Sequence, residues 1–242
     1  MDEIDAFLMQ RPAPPDRPLF GLTVLTVEDS RFASEAMRLL CQRSGARLRR
    51  ADSIAAGRRH LGVYRPAVVI VDLGLPDGAG EDLIAEIARA VPRIPALLGT
   101  SGDPGGETRA LAAGADGFLP KPITSLGSFQ ATLLAHLPPE MRPLGTQAGP
   151  VPARIETIRP DPMAFRDDLR LASDRLRGQP ASGTVDYLTQ FLGGVARSAD
   201  DRVLGDAVGR VAARRRTGAA LHPALARLSA LVEERLARPG PF

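Results

Sequence analysis

The chain has 242 residues, 44% hydrophobic and 24% charged, an ordinary globular composition with room for one large domain or two smaller ones. No stretch approaches the roughly 18 apolar residues of a membrane helix, and the lone Cys41 cannot form an internal disulfide. The net charge of +3 is not a dense basic stripe: residues 1–150 hold 16 basic against 17 acidic side chains, and residues 151–242 hold 15 against 11.

The opening Met1-Asp2-Glu3-Ile4-Asp5 is acidic where a secretory signal is basic, so a cytoplasmic, membrane-free protein is expected. Residues 1–18 read as an N-terminal arm, because Arg11-Pro12-Ala13-Pro14-Pro15 forbids a regular element. From residue 19 the pattern changes. Leu22–Val27 is a β-branched strand, and Ser30–Arg43 has apolar residues at helical spacing, stopped by Ser44-Gly45. A strand over Ala46–Arg50 and a helix over Ser53–Leu61 follow. Ala67–Val71 is a continuous apolar run, the mark of a central parallel strand covered on both faces. Helix Glu81–Val91, strand Ile94–Leu98, helix Glu107–Ala113, strand Gly117–Leu119 and helix Ser125–Leu137 complete the series.

Strand and helix thus alternate five times over residues 19–140, which predicts an open parallel sheet wrapped by helices. Residues 141–160 are proline-rich and read as a linker. Residues 161–238 carry four amphipathic segments, Pro162–Arg177, Thr184–Arg197, Asp200–Arg214 and about 217–237, as in a small helical bundle.

In such a sheet the ligand site lies at the carboxyl ends of the strands. There the sequence places Glu28 and Asp29, then Asp72, then Thr100 and Ser101, then Lys121. Clustered carboxylates repel one another, and a hard divalent cation such as Mg²⁺ relieves that repulsion with oxygen ligands. Asp72 then has the makings of a carboxylate nucleophile toward phosphorus. Lys121 is the only lysine among 31 basic residues. A compact ammonium is evidently wanted there rather than a planar guanidinium.

Four segments, Val27-Glu28-Asp29-Ser30, Val71-Asp72 through Gly80, Thr100-Ser101 and Gly114 through Pro122, resemble the signatures of two-component receiver domains in order and spacing. The resemblance implies a flavodoxin-like (βα)5 domain followed here by an all-α bundle. It implies that Asp72 is the phosphoacceptor, with Thr100 and Lys121 binding the phosphoryl group. Mg²⁺ would be held by Asp29, Asp72, the Gly74 carbonyl and, through water, Glu28. Phe118 would be the switching aromatic, and a cis peptide would precede Pro122. The chain would be a switch rather than an enzyme, any phosphoryl chemistry being intrinsic to the receiver. Its partners would be a sensor histidine kinase or phosphotransfer protein, with a homodimer also expected. Glu28 stands where many relatives have Asp, and Gly99 and Ser101 replace a larger apolar residue and an alanine, changes expected to loosen the switch loop or alter phosphoryl lifetime.

The output is open at this point. The helical segments read first as a protein-interaction or dimerisation module. The alternative is nucleic-acid binding through Arg214-Arg215-Arg216. A phosphotransfer-like bundle would have to use His222, which lacks the usual neighbours. The same rim also resembles that of haloacid-dehalogenase-type phosphatases, a resemblance that implies a second Asp two residues after the nucleophile, where this chain has Gly74.

Overall fold

Five short runs of β-branched and apolar residues pair into one parallel sheet in a computed structural model that describes residues 13–14, 16–144, 157–177 and 181–238. Most of the expected arm and linker, residues 1–12, 15 and 145–156, lies outside the described residues. The chain divides into two units. One comprises residues up to Asp29 with Ser34–Arg159, and the other Ser30–Ala33 with Pro160 onward.

The first unit runs β1 (Thr23–Val27), α1 (Arg31–Ser44), β2 (Arg47–Ala51), α2 (Ile54–Leu61), β3 (Val68–Asp72), α3 (Gly80–Arg89), β4 (Ala96–Ser101), α4 (Gly106–Ala112), β5 (Gly117–Pro120) and α5 (Leu126–His136). The strand order β2-β1-β3-β4-β5 gives a flavodoxin-like sheet with its reversal point between β1 and β3. Side chains alternate with period two between two cores. Val24, Val68, Ile70 and Leu98 face one core, under α1 and α5; Leu25, Val69, Val71 and Leu97 face the other, under α2, α3 and α4. That two-sided burial is why β3 reads as an unbroken apolar run. Cys41 lies wholly within the first core, where burial pushes its thiol up to about 12.

The expected elements are all present, with shifted ends. In the first unit the largest shift is at β4, which runs on through Thr100 and Ser101 instead of stopping at Leu98. Those residues keep ladder partners in β5, Leu119 and Pro120, so the site begins inside the sheet.

The second unit has four helices: α6 (Pro162–Leu176), α7 (Ser182–Ser198), α8 (Arg202–Arg216) and α9 (His222–Ala237). Each packs on its sequence neighbours, and α9 closes back on α6. Leu169, Leu188, Leu192, Leu204, Val211 and Leu228 are among the buried side chains of its core. The fourth helix begins later than its periodicity suggested. Gly218 has φ of +67°, and Pro223 sits in the first turn, so the chain turns before re-entering a helix. Ser30–Ala33 count with this unit because the buried Asp168 carboxylate accepts bonds from Ser30 Oγ (2.7 Å), Arg31 N–H (2.7 Å) and Phe32 N–H (3.0 Å). Among the described residues no helix is long and apolar enough to cross a membrane.

Asp201 joins two ends of this unit. It caps α8 by accepting from Leu204 N–H at 3.0 Å and pairs with Arg235 Nε at 2.8 Å. The Arg235 hydrogen bond holds the Asp201 carboxyl below its ordinary value. A depressed carboxyl contributes stability above its unfolded value, and that contribution is lost as pH falls through the folded value. Asp201→Ala should therefore cost about 2 kcal/mol at neutral pH. The gap to wild type should narrow below about pH 4. Urea unfolding at both pH values measures it.

Candidate functional site

The register of the sheet assembles the site. Asp72, the last residue of β3, lies beside Thr100 of β4, and Val27 of β1 lies beside Val71. Glu28 and Asp29 therefore leave β1 next to Asp72. Ser101 pairs with Pro120, and the Lys121 N–H donates to the Ser101 carbonyl at 3.0 Å, which sets the lysine at the same rim.

Carboxylate oxygens of Glu28, Asp29 and Asp72 lie within 4.8 Å of one another. Lys121 Nζ reaches two of these acids, 2.5 Å from Glu28 Oε2 and 3.0 Å from Asp72 Oδ2. All three side chains of that bridge are nearly excluded from water, the lysine being 6% exposed. Burial opposes the lysine's charge, but Asp72 and Glu28 outweigh it and hold the ammonium protonated well above its usual range. Burial pushes the Glu28 carboxyl up to about 8, with Asp72 and Asp29 adding to the rise and Lys121 opposing it. One ammonium thus faces three acids, a donor set of hard oxygens with an excess of negative charge. Those residues fit a hard divalent cation.

Thr100 is fully buried, and its Oγ1 donates to the Leu119 carbonyl at 2.7 Å. Phe118 is half-buried on β5 against the second core. The Lys121–Pro122 peptide is cis. At Gly99 a Cβ would fall 2.4 Å from Ala110 Cβ, so α4 fills the space a larger residue would need. Ser101 Oγ is bonded too, accepting from Asp103 N–H at 3.1 Å.

Two contributions were not legible beforehand. Gly74-Leu75 and Gly78-Ala79 pair into a small antiparallel hairpin directly after Asp72. At its exit, a Cβ on Gly80 would fall 1.9 Å from the Asp72 carbonyl oxygen, so only glycine lets α3 start there without displacing the Asp72 backbone. Asp77, in the turn between these strands, reaches across to α2. Its carboxylate accepts from Ile54 N–H at 2.8 Å and Ala55 N–H at 2.9 Å. An Asp-Gly pair signals a turn locally, but which amides its carboxylate meets depends on a helix 22 residues away.

In the second unit, Arg215 pairs with Asp186 at 2.8 Å and Arg214 donates to the Ala220 carbonyl at 3.0 Å. His222 is exposed at the first position of α9.

A model of the response regulator receiver domain matches residues 24–131, which ends before α6. The KDP operon transcriptional regulatory protein KdpE of Escherichia coli is 35% identical over 116 residues, covering 47% of this chain and 50% of that protein. The probable transcriptional regulatory protein TcrX of Mycobacterium tuberculosis is 33% identical over 108 residues, covering 43% and 44%. Among solved structures, a putative response regulator from Chloroflexus aurantiacus is 26% identical with a TM-score of 0.44, covering 47% of this chain and 98% of that one. The chain spans about half the length of the curated relatives it matches.

The buried bridge yields a stability prediction in EDTA. Because the folded state raises the Glu28 pKa, the stability tied to its proton is present below the unfolded value and is lost as pH rises through about 8. Lys121→Met should cost about 3 kcal/mol at high pH, and less in mild acid, where Glu28 is neutral. Adding Glu28→Gln should recover part of the loss, a non-additivity read from urea unfolding of the single and double variants.

Proposed function

We propose, from the premise that residues 24–131 are a response regulator receiver domain, that this chain is a cytoplasmic phosphorylation switch with Asp72 as its phosphoacceptor. The observation that carries the reading is the buried Lys121 ammonium bridging Glu28 and Asp72 at the end of the sheet. The donor is a sensor histidine kinase or a phosphotransfer protein. An Asp72 carboxylate oxygen attacks phosphorus while the bond from phosphorus to the donor imidazole nitrogen breaks. The product is an acyl phosphate on Asp72 and a free histidine on the donor.

Asp29 and Asp72, with the Gly74 carbonyl and Glu28 through water, are the groups that would hold Mg²⁺. When bound, Mg²⁺ supplies positive charge that offsets the acids and the incoming phosphoryl oxygens. The remaining work falls to the chain. Lys121 already points its ammonium at Asp72 and pairs with the phosphoryl group once it arrives. Thr100 exchanges its bond to the Leu119 carbonyl for one to a phosphoryl oxygen. Phe118, on β5 three residues before Lys121, follows the vacated space. The signal is thus a local charge change biasing a two-state element.

The four helices of residues 161–238 are the output. We assign them to protein interaction or dimerisation. The names of the relatives speak for transcriptional control, which gives the nucleic-acid reading its standing. It ranks second because two of the three consecutive arginines already have partners within the unit.

Acetyl phosphate with Mg²⁺ should add one phosphoryl group to the wild type and none to Asp72→Asn by intact mass. A change in elution volume on size exclusion would support the dimerisation output. Modification of Asp72→Asn would overturn the assignment. Lys121→Arg should still accept the group yet lose any phosphorylation-dependent change in elution, since a planar guanidinium does not reproduce the position of the ammonium.

A further inference from the structure

Beyond Leu144 the next described residue is Thr157, and there the chain is bonded to the segment that follows Lys121. The Ile158 N–H donates to the Thr124 carbonyl at 2.8 Å, and Thr157 and Ser125 oppose each other across an antiparallel bridge. The Ile158 side chain is 3% exposed, taken into the core that also holds Leu126 and Phe129. Ser125 is at the same time the N-cap of α5, accepting from Ser128 N–H at 3.3 Å. A short strap of the interdomain segment is therefore fastened to the junction of β5 and α5.

The position of this fastening matters. Thr124, which supplies the strap's acceptor, is three residues after Lys121, and the second unit begins at Pro160, two residues after Ile158. Only Pro122 and Ile123 stand between Lys121 and the carbonyl that holds the strap. Among the described residues the hold consists of one backbone bond, one bridge and one buried side chain. A contact of that size can be tipped by a modest difference in affinity between two states.

We propose that the 157–158 strap is a release catch: held while Lys121 bridges Glu28 and Asp72, and let go when a phosphoryl group on Asp72 draws Lys121 away. The inference rests on the assignment of Asp72 and adds the route by which its state reaches the chain that follows. Release frees the segment immediately before Pro160 and uncovers the apolar seat of Ile158.

Hydrogen exchange of the full chain, with and without acetyl phosphate and Mg²⁺, reads the strap through the Ile158 amide. Intact mass of the same samples reads Asp72. Phosphorylation should speed exchange at Ile158 about tenfold, a factor ordinary for coupled sites. Asp72→Asn should show no change. A Ser125→Cys/Thr157→Cys pair, opposed across the bridge, tests the reverse direction. Oxidised, it should lower the affinity for beryllofluoride with Mg²⁺ by the same factor, and reduction should restore it, the reduced protein serving as its own folding control. A phosphorylated Asp72 with unchanged Ile158 exchange, or equal beryllofluoride affinity in the oxidised and reduced pair, overturns the strap and leaves the phosphoacceptor standing. No phosphoryl addition at all removes both.

Discussion

The first unit is organised around one unfavourable arrangement, three carboxylates gathered at the end of a sheet, and the single ammonium that makes it tolerable. Glu28 and Lys121 are almost wholly buried, and Asp72 nearly so. A lone charge in such a place would be driven to neutrality. Lys121 remains charged because it touches two acids at once, and Glu28 is held near its proton chiefly by burial, with the neighbouring Asp72 and Asp29 adding to the effect. The longer side chain of Glu28 suits this geometry: from the end of β1 it reaches the lysine at 2.5 Å. A site so balanced is sensitive to any added charge, which is the physical basis for reading it as a switch.

Close backbone approach supports that balance. Gly80 lets α3 begin against the Asp72 carbonyl, and Gly99 lets Ala110 of α4 reach the sheet. Asp77 fastens the turn after Asp72 to the start of α2. The backbone of Asp72 and the turn after it are thus closely packed against neighbouring elements. The Thr100 hydroxyl, committed to the Leu119 carbonyl, is the most direct such link between the site and β5.

The second unit is of another kind. Its stability comes from a conventional apolar core and a few ties between helix ends, notably Asp201 with Arg235. Among its described residues no group of three acids gathers as Glu28, Asp29 and Asp72 do.

Much of this was legible in the sequence because the relevant signals are local. The sequence patterns gave the five strands of the parallel sheet and the nine α-helices of the described residues, and the continuous run Ala67–Val71 announced burial on both faces. Glu28, Asp29, Asp72 and Lys121 were placed at one rim by topology alone, since parallel strands bring their carboxyl ends together. What the sequence could not supply were contacts whose partners are remote in the chain. The reach of Asp77 to α2, the steric demand on Gly80, the extension of β4 through Thr100 and the fastening of Ile158 to Thr124 each depend on where another element packs. Sequence by itself determined which residues carry the charge and which elements carry them. Only the tertiary structure decided which acids the lysine bridges and which backbone segments feel it, because those are questions of distances between elements that no local pattern encodes.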